Sequence, residues 1–136
     1  MMTFETFIHQ HAMLGISFEA YLYRMADRFS ANYQGGYWKS KSLEGCHDFF
    51  YLELDDDTLY TISNDQNDYD NGPMDSKVYS LSIFAYALNT FGYHLYNQGR
   101  IDASEVFFRM YQFVFANALV ILGDEEKHAQ FYWFLD

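Results

Sequence analysis

A helical stripe that runs into paired glycines constrains this chain more than any other feature. Leu14, Phe18, Leu22, Met25 and Phe29 recur at steps of 4, 4, 3 and 4, the period of one helix face. Glu19, Arg24, Asp27 and Arg28 fall off that face, as a solvated side requires. The spacing predicts a helix over about residues 17–32. Gly35 and Gly36 follow within two turns, where a left-handed cap is expected. Glycine packs nothing and costs backbone entropy, so a pair of them among aromatic residues implies a reversal of the chain. Beyond the pair, Tyr37 and Trp38 lead into the alternation Lys39-Ser40-Lys41-Ser42, which is β-type. Tyr33, Gly35, Gly36 and Trp38 are therefore expected to form a structural corner between the helix and a first strand.

The stretch 48–54, "DFFYLEL", puts Phe50, Leu52 and Leu54 on one side and Phe49, Tyr51 and Glu53 on the other. Asp55, Asp56 and Asp57 make a turn, and "TLYTIS" at 58–63 predicts a third strand. The polar loop 64–73 follows, with a short edge strand expected near residues 69–74. Short connections imply an antiparallel meander. Asp75 or Ser76 then caps a helix with Leu81, Phe84, Leu88, Phe91 and Leu95 on one stripe, stopping at Gly99. Asp102 and Glu105 resemble a capping box opening the next helix. That helix, with Phe107, Phe108, Met110, Phe113, Val114, Phe115, Leu119, Ile121 and Leu122, is apolar nearly all round and is expected to be buried on several sides. Gly123 breaks it, and a last helix turns Phe131 and Phe134 or Leu135 inward. No βαβ alternation occurs. The predicted class is α+β, a small antiparallel meander of three or four strands packed against about four helices, in one domain over residues 1–136.

Half of the 136 residues are hydrophobic, enough to bury a core without staples. The lone Cys46 makes no internal bridge, which fits a reducing compartment. No Lys or Arg precedes Arg24, unlike a secretory leader. The apolar run at 113–122 is about half of the ~20 residues a membrane span needs. These features predict a cytoplasmic protein without a membrane partner. The formal charge of −11 repels phosphates, so direct nucleic-acid binding is not expected.

Few residues suggest catalysis. His9 and His11 are two apart, so on a helix they would point to different faces. Glu125-x-x-His128 has di-iron spacing, but its only counterpart, Glu44-x-x-His47, lies in a glycine-containing turn. Asp68-x-Asp70-x-Gly72 starts like a calcium loop and then meets Pro73, with Tyr79 where the bidentate Glu belongs. Cys46 and His47 are adjacent, so on a strand their side chains diverge. No nucleophile elbow, P-loop or dinucleotide glycine pattern occurs. The expectation is no catalytic residue, no metal site and no cofactor. The remaining lead is the acidic stretch 53–75, which holds eight acids and no base. Of these, Asp55, Asp56, Asp57, Asp65, Asp68 and Asp70 are the candidate contact residues for a partner.

The segment "EAYLYRMADRFSANYQGGYW", residues 19–38, resembles the block that marks ArdB/KlcA-type antirestriction proteins. Glu19, Ala20, Tyr23, Arg24, Asp27, Arg28, Tyr33, Gly35, Gly36 and Trp38 fit its pattern. Phe50-Tyr51, Ala87-Leu88-Asn89 and the ending Phe134-Leu135-Asp136 match weaker blocks. The chain departs from the family at "EGCHDFFY", where a second diglycine is missing, and at "DEEKHA" near the end. The resemblance implies a small α+β protein of plasmids, phages and other mobile elements, without cofactor or catalytic residues. It implies a host type I restriction-modification complex as the protein partner. Two alternatives stand beside it: an acidic DNA mimic occupying a DNA channel, and an adaptor for another partner.

Overall fold

The computed structural model describes residues 1–63 and 69–136. Its elements run α1 (Phe4–His11), α2 (Met13–Phe29), β1 (Trp38–Lys41), β2 (Tyr51–Leu54), α3 (Ser76–Asn97), α4 (Ile101–Leu122) and α5 (Glu125–Leu135). The class is α+β, with five helices and a two-stranded antiparallel sheet among the described residues. The sheet is thus smaller than the predicted three or four strands.

The reason is where the backbone donors of the third segment go. Tyr60 and Met74 exchange two backbone hydrogen bonds, of 2.7 and 2.9 Å, and form an isolated bridge. The Thr61 N–H donates to Asn32 Oδ1 at 2.9 Å and the Ser63 N–H to the Phe29 carbonyl at 2.8 Å. The segment is thereby tied to the end of α2, where helix carbonyls need partners, and not to β2. The Tyr60 ring stacks on Tyr79, centroids 4.3 Å apart.

The predicted long helix starts earlier than expected and is preceded by α1, which sequence periodicity did not reveal. Only Phe4 and Phe7 of α1 are buried, too few for a stripe. Thr3 caps it, accepting from the Thr6 N–H at 3.1 Å. Ala12, at φ 52°, turns the chain between α1 and α2. Gly15 lets the two helices touch: a Cβ there would lie 2.7 Å from the Ile8 backbone.

α3 is the centre of the molecule. It packs against α2, β2, α4 and α5, and Ser80, Ser82, Ala85 and Ala87 are buried along with its larger residues. Small side chains let neighbours approach on every side. At Gly92 the contact is with Phe108 of α4. Asp75 caps α3, accepting from the Val78 N–H at 2.9 Å, as expected.

Two expectations for α4 need correction. It starts at Ile101 after Arg100 without a side-chain cap, so Asp102 lies in the first turn and no capping box forms. It is also less enclosed than its composition suggests. Its 22 residues are long and apolar enough to cross a membrane by those measures alone. It packs on α3 and α5, but Phe115, Leu119 and Val120 remain exposed. Gly123 ends it in the left-handed conformation at φ 68°. Asp124 then caps α5, whose Phe131 and Phe134 are buried while Leu135 is half-buried.

Candidate functional site

The helix-to-strand corner holds the residues of the most specific motif. α2 ends at Phe29 with Ser30 as its cap, so the glycines do not cap the helix. They turn the chain five residues later, at φ 87° for Gly35 and 130° for Gly36. Trp38 starts β1 with 5% of its surface exposed, and its Nε1–H donates to Tyr33 Oη at 3.0 Å. The rings of Tyr33 and Tyr23 lie 6.2 and 6.0 Å from that of Trp38. Gly36 faces Leu54, 3.3 Å from where a Cβ would sit. Gly36→Val therefore combines a disfavoured φ with a tight contact. It is expected to lower the melting temperature by roughly 5–15 °C, and a thermal melt matching wild type would refute this account of the corner.

The corner also borders a groove of about 540 Å³. α1 supplies Glu5 and Ile8, α2 supplies Glu19 and Tyr23, and the β1 segment supplies Trp38 and Ser40. Tyr23 Oη donates to Glu19 at 3.3 Å. Burial raises the Tyr23 phenol to about 12, and the Glu19 charge adds to the shift. Burial also raises Tyr33, against the opposing hydrogen bond from Trp38. Gly36 and Trp38, expected to be structural, thus also line this groove. The part played by α1 was not readable from sequence, since α1 itself was not.

The acidic stretch is divided in the structure. Asp56 is exposed but held in place: its carboxylate accepts from Tyr60 Oη at 2.8 Å and from the Thr58 N–H at 3.0 Å. Its N–H donates to Ser76 Oγ at 3.3 Å, and Ser76 Oγ–H donates to the Asp56 carbonyl at 3.0 Å. Burial, then the hydrogen bond to Asp56, raises the Tyr60 phenol to about 12. Asp55 meets Lys39 at 3.3 Å, and Asp75 meets Lys127 at 3.1 Å. Glu53 lies between Lys41 at 3.7 Å and Lys77 at 3.9 Å. All four lysines of the chain are therefore spent on this region. Asp57 and Asp70 are exposed. Asp65 and Asp68 lie outside the described residues.

Among the described residues, no group of three or more His, Cys, Asp or Glu is placed to hold a metal ion. His128 stacks near Phe131, with centroids 6.3 Å apart. Cys46 is half-buried, while His47 is exposed and its carbonyl accepts from the Met2 N–H at 2.9 Å.

No family model and no curated protein matches the chain. A solved structure does match, that of the KlcA and ArdB proteins, with a TM-score of 0.71 over 90% of this chain and 80% of that one, at 23% identity. The chain has the KlcA and ArdB fold. The KlcA and ArdB proteins are described as having a novel fold and antirestriction activity against Type I DNA restriction systems in vivo but not in vitro. The extent of the match agrees with the likeness to KlcA and ArdB at residues 19–38, which here form the end of α2, the diglycine turn and the start of β1.

Proposed function

We propose that this chain is an antirestriction protein that counteracts DNA cleavage by host type I restriction-modification complexes. It acts non-enzymatically in the cytoplasm, through contact with protein. The observation that carries the reading is the likeness in fold to KlcA and ArdB along 90% of the chain. The contact face is the acidic region, with Asp55, Asp56, Asp57 and Asp70 as its exposed described members and Asp65 and Asp68 between them in sequence.

The pairing of Glu53, Asp55 and Asp75 with lysines weighs against a DNA mimic. A mimic has to present unpaired charge in rows, since duplex DNA carries one charge about every 1.7 Å of its axis. That KlcA and ArdB act in vivo but not in vitro also disfavours simple occupation of a DNA channel, which would persist with purified components.

The test is the plating efficiency of unmodified phage on cells with a type I system, with and without the gene. Expression is expected to raise plating by at least about tenfold; no change would refute the reading and favour an adaptor with another partner. The double variant Asp57→Asn, Asp70→Asn is expected to weaken this protection with little change in melting temperature, because exposed charges contribute under about 1 kcal/mol. Full protection by the double variant would remove these residues from the contact face.

A further inference from the structure

The strand that follows the diglycine corner has an open edge. The sheet order is β1–β2, with Trp38 opposite Leu54, Lys39 opposite Glu53 and Ser40 opposite Leu52. The Leu54 N–H donates to Ser80 Oγ of α3 at 3.0 Å, so it points away from β1. In an antiparallel ladder this makes Trp38–Leu54 a non-hydrogen-bonded pair, and by alternation Ser40–Leu52 as well. The backbone N–H and C=O groups of Trp38 and Ser40 therefore face the other way, toward the open edge. No backbone group of the described residues meets them there.

This edge opens beside the groove described above. One end is closed by α1, whose Phe4 N–H donates to Ser40 Oγ at 2.8 Å. The wall opposite the strand carries Tyr23 and two carboxylates, Glu5 and Glu19. Glu19 is half-buried and accepts only the long bond from Tyr23; no Lys, Arg or His lies within salt-bridge distance of either acid among the described residues. Lys39 and Lys41 also line the groove, and each is engaged by another acid, Lys39 by Asp55 and Lys41 by Glu53. Unpaired carboxylates beside aromatic faces suit a cation, and best a planar guanidinium, which stacks and hydrogen-bonds at once.

We propose that this groove takes an extended segment of a protein partner, which adds as a strand to the open edge at Trp38 and Ser40 and places an arginine between Glu19 and the Tyr23 ring. Strand addition supplies affinity through main-chain hydrogen bonds, and the alternate side chain supplies selectivity. The overall negative charge of the chain favours the approach of such a basic segment. The inference concerns the chemistry of the segment and does not depend on the partner being a restriction complex.

The probe is a pair of acetylated, amidated peptides, TVTRTVT and TVTETVT, tested against the full chain carrying Trp133→Phe, so that Trp38 is the sole indole. Binding is read by indole fluorescence and by amide shifts of Trp38 and Ser40. The arginine peptide is expected to bind at least about fivefold more tightly than the glutamate peptide. Glu19→Gln, with an unchanged melting temperature, is expected to bring the two within about twofold. N-methylation of alternate peptide amides is expected to weaken binding by about tenfold or more, through loss of the main-chain bonds. Equal binding of the two peptides would overturn the proposal. So would unmoved Trp38 and Ser40 amides at about millimolar peptide, or edge shifts that follow protein concentration without peptide, which would mean a second copy fills the edge.

Discussion

Phe18→Ala is expected to lower the unfolding free energy by about 3–5 kcal/mol. Phe18 is fully buried on α2 at the point where three parts of the molecule meet. Its ring lies 6.4 and 6.3 Å from Phe4 and Phe7 of α1, 6.3 and 5.5 Å from Phe84 and Phe91 of α3, and 5.1 Å from Phe107 of α4. These rings come from elements that are themselves anchored elsewhere, so the site has little freedom to collapse. Truncation removes both the buried apolar area and the edge-to-face contacts. A domain of this size has roughly 5–15 kcal/mol of stability, so the loss is a large share of the total. Denaturant unfolding measures it, with Phe115→Ala as the control. Phe115 is 40% exposed on α4, and its truncation should cost far less. Equal losses for the two variants would contradict the packing described for α1, α2 and α4.

Stability is also expected to fall steeply above about pH 10, well before backbone chemistry intervenes. Tyr79 is fully buried on α3, its hydroxyl donates to the Ala26 carbonyl, and burial raises its phenol far above the ordinary value of 10. Tyr60, stacked on it, is raised to about 12, first by burial and then by its hydrogen bond to Asp56. Burial also raises Tyr51, Tyr69, Tyr86 and Tyr111. The direction of the pH effect follows from the proton balance. Below about pH 10 the tyrosines are neutral in both states, and the full stability is present. Above it the unfolded chain loses protons that the folded chain retains, so the unfolded state gains. Tyr79 alone contributes a slope of about 1.4 kcal/mol per pH unit, and Tyr60 adds to it until about pH 12. The melting temperature should be flat through neutral pH and drop between about pH 10 and 12. Phenolate absorbance should rise together with the loss of helical circular dichroism. Tyr79→Phe should shallow the drop by about one proton. Ionisation of all tyrosines near pH 10 with the helical signal intact would refute the burial of Tyr79.

Elements with one strong period were legible before any coordinates. The α2 stripe, the Asp75 cap of α3, the Gly123 stop and the inward Phe131 and Phe134 of α5 each depend on local geometry, and each lies where the sequence placed it. The diglycine turn was legible for the same reason: only glycine adopts a φ of 130° without strain. The misread elements had local signals that tertiary partners overrode. "TLYTIS" is rich in strand-forming residues, yet its donors are taken by Asn32 and Phe29. Asp56 is a surface acid, yet its carboxylate also accepts from Tyr60 and its carbonyl from Ser76. Asn32, Phe29 and Ser76 lie 20 or more residues from the groups they bond, and partners that distant leave no trace in local composition.

What the sequence determined by itself was the set of helices with a clear stripe, the reversal at Gly35 and Gly36, and an acidic chain with an aromatic core. Periodicity, backbone torsion and charge are properties of neighbouring residues, so they can be read along the chain. The tertiary structure decided that α3 is the central helix, that the sheet has two strands among the described residues, and that the lysines neutralise much of the acidic stretch. It also set α1 across from an open strand edge to make a groove. Each of these depends on which distant surfaces fit closely enough to exclude water, and that is settled only when the whole chain has packed.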